Sequence, residues 1–339
     1  MNTSGNTARA SLLEVRDLSL SFHQHKQLAV DRVSLNIATG STLGLVGASG
    51  SGKSSIARAI LRLVKTDSGE VLFKGENIYQ MNSQELKTTR QRIQLVFQEP
   101  SVSLSPRRTV EQTLVEPLQH FAIGDANYRY EKIRQTLHTV GLDQSVLRRY
   151  PHQFSSGQQQ RIAIARALVT DPDLLIADEA VSSLDVSIQA QILQLIQMLQ
   201  KDFGITFLFI SHDLAVIRQI ADDVAVMYQG QLLEQSSADQ FFSGPTHPYS
   251  KSLLSFAHGK TPSGWPADKW YLERTRQSTG SSSTCVYAGF CPDKMPVCER
   301  LEPAMHDIQH KNQHALGPYC VKCHLYDEVK INDQGKTNL

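Results

Sequence analysis

The stretch GASGSGKS, Gly47 to Ser54, has the G-x-x-x-x-G-K-[ST] spacing of a loop that wraps phosphate, and it joins an apolar run to a run with helical period. Glycines let successive backbone N–H groups curl around an anion, and the helix that follows adds the positive end of its dipole. Lys53 has the length to reach β- and γ-phosphates, and the Ser54 hydroxyl is a hard oxygen suited to Mg²⁺. Gly47, Ser49, Gly50, Ser51, Gly52, Lys53, Ser54 and Ser55 are the expected phosphate-binding set. A Gly/Ser turn without chemistry is the plain alternative, and the strand-loop-helix setting weighs against it. Further on, LLIADE ends an apolar run on Asp178 and Glu179. The first carboxylate can hold a magnesium shell, and the second can orient and deprotonate a water. Alone, such a pair more often marks a helix start or a solvated turn; downstream of a phosphate loop it reads as a site. Gln98, after IQLVF, and His212, after ITFLFIS, also fall at strand ends, the edge of an open α/β sheet where ligands bind.

A second group of reactive residues lies near the C-terminus. TCVYAGFCPDKMPVCER carries Cys285, Cys291 and Cys298, and CVKCH adds Cys320 and Cys323, which together are all 5 cysteines of the chain. The gaps within the first three exceed the short C-x₂₋₄-C steps of zinc ribbons, although CVKC by itself fits one. Unrelated buried thiols are one reading. The polar, linker-like surroundings offer little core for a cysteine to fill, so the expected reading is a bound metal centre.

Elements that could position these groups are visible in the periodicity. LLEVRDLSLSF and LAVDRVSLNI alternate with period two and open the chain with sheet, and GEVLFKGENI reads as a hairpin arm. RIQLVFQEP reads as a buried strand, and 125–150 as a polar, mostly helical insert ending before Pro151. LLIADE and ITFLFISHD are short and nearly all apolar, as strands inside a parallel sheet are. The helix predicted from Val186 carries Ile188, Ile192, Leu195, Ile196 and Leu199 on one face. QSTGSSST, 277–284, has linker composition and precedes the cysteines, and no internal repeat is visible.

With 339 residues the chain is long enough for one large domain plus an appendage, or for two modest domains. Its net charge of +1 excludes a general polyanion-coating protein. The polar start and the shortness of every apolar run predict a soluble, cytoplasmic chain. In that compartment thiols stay reduced, which argues against a disulfide framework.

FSSGQQQRIAIARAL, 154–168, supplies the most specific motif. Here the chain resembles the nucleotide-binding subunits of ATP-binding-cassette (ABC) transporters, whose signature is L-S-G-G-Q. The motifs occur in that family's order: phosphate loop 47–54, Gln98, signature 154–158, Asp178 and Glu179, the SSLD loop ending at Asp185, and His212. The resemblance covers about residues 11–255. It implies an α/β P-loop NTPase of ABC type with an antiparallel β subdomain, a helical subdomain at about 100–170, and a small Cys-rich C-terminal extension. The implied layout is a disordered lead 1–10, the ATPase domain 11–255, a linker 256–284, the Cys-rich tail 285–326 and a polar tail 327–339. It further implies ATP and Mg²⁺ as ligands, with Ser54, Gln98 and Asp178 around the metal and Glu179, His212 and Gln98 as the catalytic group. Phe22 is placed to stack on adenine. Ser155, Gly157, Gln158 and Asp185 are placed to complete the ATP site of a facing subunit.

Within the family, SLSPRR, LDVSIQAQIL and THPYSKSLL are similar to the oligopeptide, dipeptide and nickel importer branch, and SLSPRR is more similar to the second of that branch's two ATPases. That implies a non-identical ATPase partner, two membrane permeases and, indirectly, a periplasmic or extracellular solute-binding protein, with the chain peripheral on the cytoplasmic face of the inner membrane and no nucleic acid bound. The branch also implies a [4Fe–4S] cluster on Cys285, Cys291, Cys298 and Cys323, with Cys320 as the alternative ligand and zinc as the alternative metal. Ser156 in place of the signature's first glycine, and DEAVSSLD in place of D-E-P-T-S-A-L-D, depart from the pattern without touching either carboxylate. The contrasting reading is a soluble ABC ATPase acting on nucleic acid or ribosomes, which the single cassette and near-neutral charge disfavour.

Overall fold

A computed structural model describes residues 10–21, 28–257, 284–308 and 319–327. The chain opens with β1 (Ser11–Ser21) and β2 (Leu28–Ala38), antiparallel neighbours whose alternating residues Leu13 and Val15, and Val33, Leu35 and Ile37, are buried. β3 (Thr42–Gly47) is buried throughout and leads to α1 (Lys53–Ile60). The hairpin β4 (Ser68–Phe73) and β5 (Glu76–Asn77) joins β1, which gives a four-stranded sheet in the order β2-β1-β4-β5 among the described residues.

The rest of the chain builds the larger sheet and its helical cover. α2 (Ser83–Arg92), started by a capping box between Asn82 and Glu85, precedes β6 (Ile93–Val96). A helical block follows: α3 (Pro100–Ser103), α4 (Val110–His120), α5 (Ala126–Thr139) and α6 (Ser156–Leu168). β7 (Leu174–Asp178), α7 (Val186–Phe203), β8 (Thr206–Ser211), α8 (Leu214–Ile220), β9 (Asp223–Tyr228), β10 (Gln231–Ser237), α9 (Ala238–Ser243) and α10 (Pro248–Ala257) complete the α/β core. Among the described residues the second sheet has eight strands, in the order β11-β12-β10-β9-β3-β8-β7-β6, with β11 (Met305–Asp307) and β12 (Cys320–Lys322) drawn from the tail. β9, β3, β8, β7 and β6 run parallel, and the other three strands are antiparallel to their neighbours.

Strand alternation divides the core. Phe207 and Phe209 of β8 join the cluster that holds Leu114, Ile162 and Ile196 of the helices. Leu208 and Ile210 join the cluster shared with the antiparallel sheet, through Leu13, Val30 and Ile56. A sheet covered on both faces needs all-apolar strands, which is why β7 and β8 lack polar alternation.

Two expectations change. RIQLVFQEP is not a buried strand: only Ile93–Val96 is extended, it forms one edge of the sheet, and Gln98 lies two residues beyond it. The tail is not short of core either. Tyr287 is 0% exposed among Tyr228, His247 and Tyr249, Cys298 and Cys323 are buried, and β12 pairs through Val321 and Cys320 with Glu234 and Gln235 of β10. The polar composition is misleading because a few buried residues suffice when the partner surface already exists.

Candidate nucleotide site

The parallel strands bring their C-terminal ends to one edge, where Val46 of β3 lies beside Ser211 of β8 and Ile210 beside Asp178 of β7. β3 therefore delivers the phosphate loop, β7 the acidic pair and β8 the histidine to one place. The loop closes at Gly52, the N-cap of α1, with φ 101°. A Cβ there would sit 2.3 Å from the Ala29 carbonyl oxygen, so glycine is required. Lys53 is buried, and its Nζ donates to the carbonyls of Gly47 and Ala48 at 2.8 Å each and to Ser51 Oγ at 3.3 Å. Burial lowers its pKa, while Glu179 and Asp178 pull it back up. Ser49 and Gly50 are exposed on the loop, and Ser55 is half-buried on α1.

Ser54 Oγ donates to Asp178 Oδ1 at 3.0 Å, which sets two hard oxygen ligands side by side at the start of α1. Burial, followed by the charge of Glu179, raises the Asp178 pKa against the hydrogen bond from Ser54. These oxygens fit the needs of Mg²⁺. Glu179 has φ 51°, a left-handed conformation that its N–H bond to the Ile210 carbonyl at 3.0 Å helps to hold. Its Oε1 lies 3.3 Å from His212 Nδ1. Gln98 Nε2 is 3.4 Å from Ser182 Oγ, which donates to the Glu179 carbonyl at 3.0 Å. Sequence positions 53, 54, 98, 178, 179 and 212 thus form one connected site.

The remaining expected residues stand apart from that network. Ser155 and Gln158 form the capping box of α6: Ser155 N–H donates to Gln158 Oε1 at 3.2 Å, and Gln158 N–H donates to Ser155 Oγ at 3.4 Å. Both are exposed, as is Ser156. Gly157 is buried, and a Cβ there would meet Ile188 Cγ2 at 2.4 Å. Asp185 caps α7 through Ile188 N–H at 3.0 Å and accepts from Ser187 Oγ at 2.7 Å, bonds that hold its pKa down. Phe22 lies outside the described residues.

One contact has no local signal in the sequence. Tyr249, in THPYSKSLL, accepts at its hydroxyl from the Ala48 N–H of the phosphate loop at 3.2 Å. The sequence offers only likeness to a branch at that position, because the contact joins residues 201 apart.

In the tail, Cys285, Cys291, Cys298 and Cys323 lie near enough that charges on some raise the pKa of others, after the larger effect of burial. Cys320 instead feels Asp307 and Glu234. Among the described residues no group of three or more His, Cys, Asp or Glu side chains is arranged to hold a metal ion. Neither the expected [4Fe–4S] cluster nor the zinc alternative therefore gains an ion-binding geometry among the described residues. The thiols are part of the apolar packing, with Cys285 and Cys291 against the main core.

A glycine-closed loop on a buried lysine, next to a Ser-Asp pair and a Glu-His pair at parallel strand ends, defines a P-loop ATPase of the ATP-binding-cassette class. Known proteins agree: residues 30–182 match the family described as "ABC transporter". The chain is 40% identical over 328 residues to the oligopeptide transport ATP-binding protein AppF of Bacillus subtilis, covering 93% of this chain and 98% of that one. It is 47% identical over 248 residues to OppF, the oligopeptide transport ATP-binding protein of the same organism, covering 72% and 81%. Among solved structures, cbiO1 of Clostridium perfringens, part of an ABC transporter complex, superposes with a TM-score of 0.63 at 27% identity, covering 69% of this chain and 91% of that one. The dimeric ATP-binding cassette MJ0796 bound to ADP and Pi gives 0.60 at 28% identity, covering 67% and 98%. This chain belongs to the ATP-binding subunits of ABC transporters. It is an ATPase with the expected α/β cassette fold, including the antiparallel sheet and the helical block.

Proposed function

We propose that this ATPase energises import of di- or oligopeptides, or a similar small solute, through two membrane permeases served by a solute-binding protein. The observation that carries it is the convergence of Lys53, Ser54, Asp178, Glu179 and His212 at one sheet edge. The peptide class is supported by the relatives, which are named for oligopeptide transport. Lys53 and the loop N–H groups hold the β- and γ-phosphates. Ser54 and Asp178, with Gln98, would hold Mg²⁺, which when bound would neutralise phosphate charge. Glu179 takes the proton of the attacking water, and His212, on its carboxylate, holds it in position and faces the γ-phosphate.

The partner ATPase is a second, non-identical cassette. The exposed Ser155 and Gln158, whose side chains each accept from the other's backbone N–H at a helix N-terminus, support the reading that this end of α6 faces another subunit's nucleotide. The dimeric MJ0796 cassette supports the pairing. Among the described residues no helix is long and apolar enough to cross a membrane. We place the chain on the cytoplasmic side of the membrane, docked on its permeases. The finer reading of the tail, a [4Fe–4S] cluster on Cys285, Cys291, Cys298 and Cys323, is supported by the pairwise charge effects that link those four thiols and leave Cys320 out. Anaerobically purified protein free of iron and sulfide refutes it.

The test of the transport reading is purification of the tagged chain from its native membranes. Two integral membrane proteins and a second cassette ATPase are expected to accompany it. Recovery with ribosomes or nucleic acid and no membrane protein contradicts it.

A further inference from the structure

The peptide group between Gly47 and Ala48 is gripped at both ends. Its N–H donates to Tyr249 Oη at 3.2 Å, and its carbonyl, that of Gly47, accepts from Lys53 Nζ at 2.8 Å. A peptide unit is planar, so its N–H and C=O turn together. Whatever fixes the direction of the N–H also fixes the carbonyl on which the phosphate-binding lysine rests. Tyr249 is 4% exposed and sits at the start of α10, outside every motif that assigns the ATP site.

Tyr249 is itself held from two directions. On the chain side, the buried Glu234 accepts from the N–H groups of Thr246 and His247 at 2.8 Å each, and Tyr249 N–H donates to His247 Nδ1 at 3.0 Å. On the other side stands the tail. The Tyr287 ring, 0% exposed, meets Tyr249 edge-on at 5.3 Å between centroids and Tyr228 at 5.5 Å, and its hydroxyl donates to Ser252 Oγ at 3.3 Å on the same helix as Tyr249. The tail also reaches the loop from β10. Gln231 Nε2 donates to Glu302 at 3.2 Å and to Asp31 at 2.7 Å, Asp31 N–H donates to the Gly230 carbonyl, and Gly230 N–H donates to the Ser51 carbonyl at 3.0 Å.

We infer that Tyr249 is a positioning residue for the phosphate loop, and that the cysteine-bearing tail keeps it in register through Tyr287. Seating of the tail thereby sets ATP affinity, which gives a segment remote in sequence a hold on the nucleotide site. The inference rests on the reading of Gly47–Ser54 as the ATP phosphate loop.

The experiment uses the full chain in its assembled transporter with Mg-ATP, together with amide hydrogen exchange of the peptide spanning the loop. Tyr249→Phe keeps the ring and removes the acceptor. It is expected to raise the KM for ATP about tenfold, equivalent to about 1.4 kcal/mol, to leave kcat within about twofold, and to speed exchange at Ala48. Tyr287→Ala is expected to raise KM in the same direction by a smaller factor. The double variant is expected to match Tyr249→Phe, since both act on one contact. Unchanged KM and unchanged Ala48 exchange in Tyr249→Phe overturn the inference. Additive effects in the double variant overturn the role of the tail. Wild-type protein that binds no ATP sinks the phosphate-loop reading itself, an outcome separable from these two.

Discussion

His212 Nδ1 lies 3.3 Å from Glu179 Oε1, although the two residues end different strands of the parallel sheet. The histidine is about half exposed on its side chain and the glutamate is less so, at 51% and 20%. The contact therefore looks outward to the strand-end edge that carries the Gly47–Ser54 loop. Under the proposed mechanism, a histidine so placed orients Glu179 as the base rather than stabilising the fold. His212→Ala is expected to lower kcat for ATP by about 10²-fold with little change in KM, and with an unchanged melting temperature. Steady-state turnover and a thermal melt check both halves.

Asp178 carries an electrostatic cost at the position proposed to hold Mg²⁺. Burial and the neighbouring Glu179 both disfavour its ionised form. Its folded pKa is raised, so the folded chain holds a proton more readily than the unfolded chain, and this group's penalty is present at neutral pH and fades as pH falls towards the ordinary aspartate value of 3.8. Asp178→Asn keeps an oxygen for the Ser54 hydroxyl and removes the charge. The variant is expected to melt a few degrees above wild type at pH 7 and to converge with it in acid, while Mg²⁺-dependent turnover is lost. Melts at two pH values, alongside phosphate release, decide it.

Gly157 shows that one residue of the signature has a packing role in addition to any nucleotide role. Its missing Cβ leaves room for Ile188 Cγ2, 2.4 Å from where a Cβ would stand, and so lets α6 approach α7. Gly157→Ala is expected to destabilise the chain by about 1–3 kcal/mol, and Ile188→Ala in the same chain to recover most of that loss. Denaturant unfolding of the two single variants and the double variant measures the coupling.

Glu302 fastens the tail to both sheets through Arg32, Lys322 and Gln231. Burial works to raise its pKa, but the hydrogen bonds and charges of Arg32 and Lys322 outweigh burial and leave it lowered. The folded value lies below the unfolded one, so the stabilisation is complete above the ordinary glutamate value of 4.5 and is lost as pH falls through the folded pKa. Glu302→Gln is expected to cost about 1–3 kcal/mol at pH 7, and the difference from wild type is expected to vanish in acid below both values. Unfolding curves from pH 7 down to about pH 3 follow it.

Much of the fold and of the nucleotide site is legible in the amino-acid sequence alone, for reasons that can be traced residue by residue. TLGLVG, LLIAD and TFLFIS read as buried parallel strands because both of their faces are covered, and a strand of that kind shows its ligand-facing end as the first polar residue. Asp178, Glu179 and His212 group together because each stands just inside or just past such an end, and Lys53 joins them at the start of the helix that follows the loop after β3. β6 is shorter than its apolar run suggests, since the run does not reveal that only four residues pair and that one flank is open. The seating of Tyr287 and the pairing of β12 with β10 depend on contacts between distant stretches, and a polar tail gives no local sign of them. Tyr249 escapes a reading of the sequence for the same reason.

Glu179 as the base is the assignment on which hydrolysis at this site depends most directly. The deciding measurement is phosphate release by the assembled transporter with Mg-ATP, compared between wild type and Glu179→Gln. Turnover is expected to fall by about 10²–10⁴-fold while ATP binding, measured on the same preparation, is retained. Turnover that stays at the wild-type level contradicts the assignment.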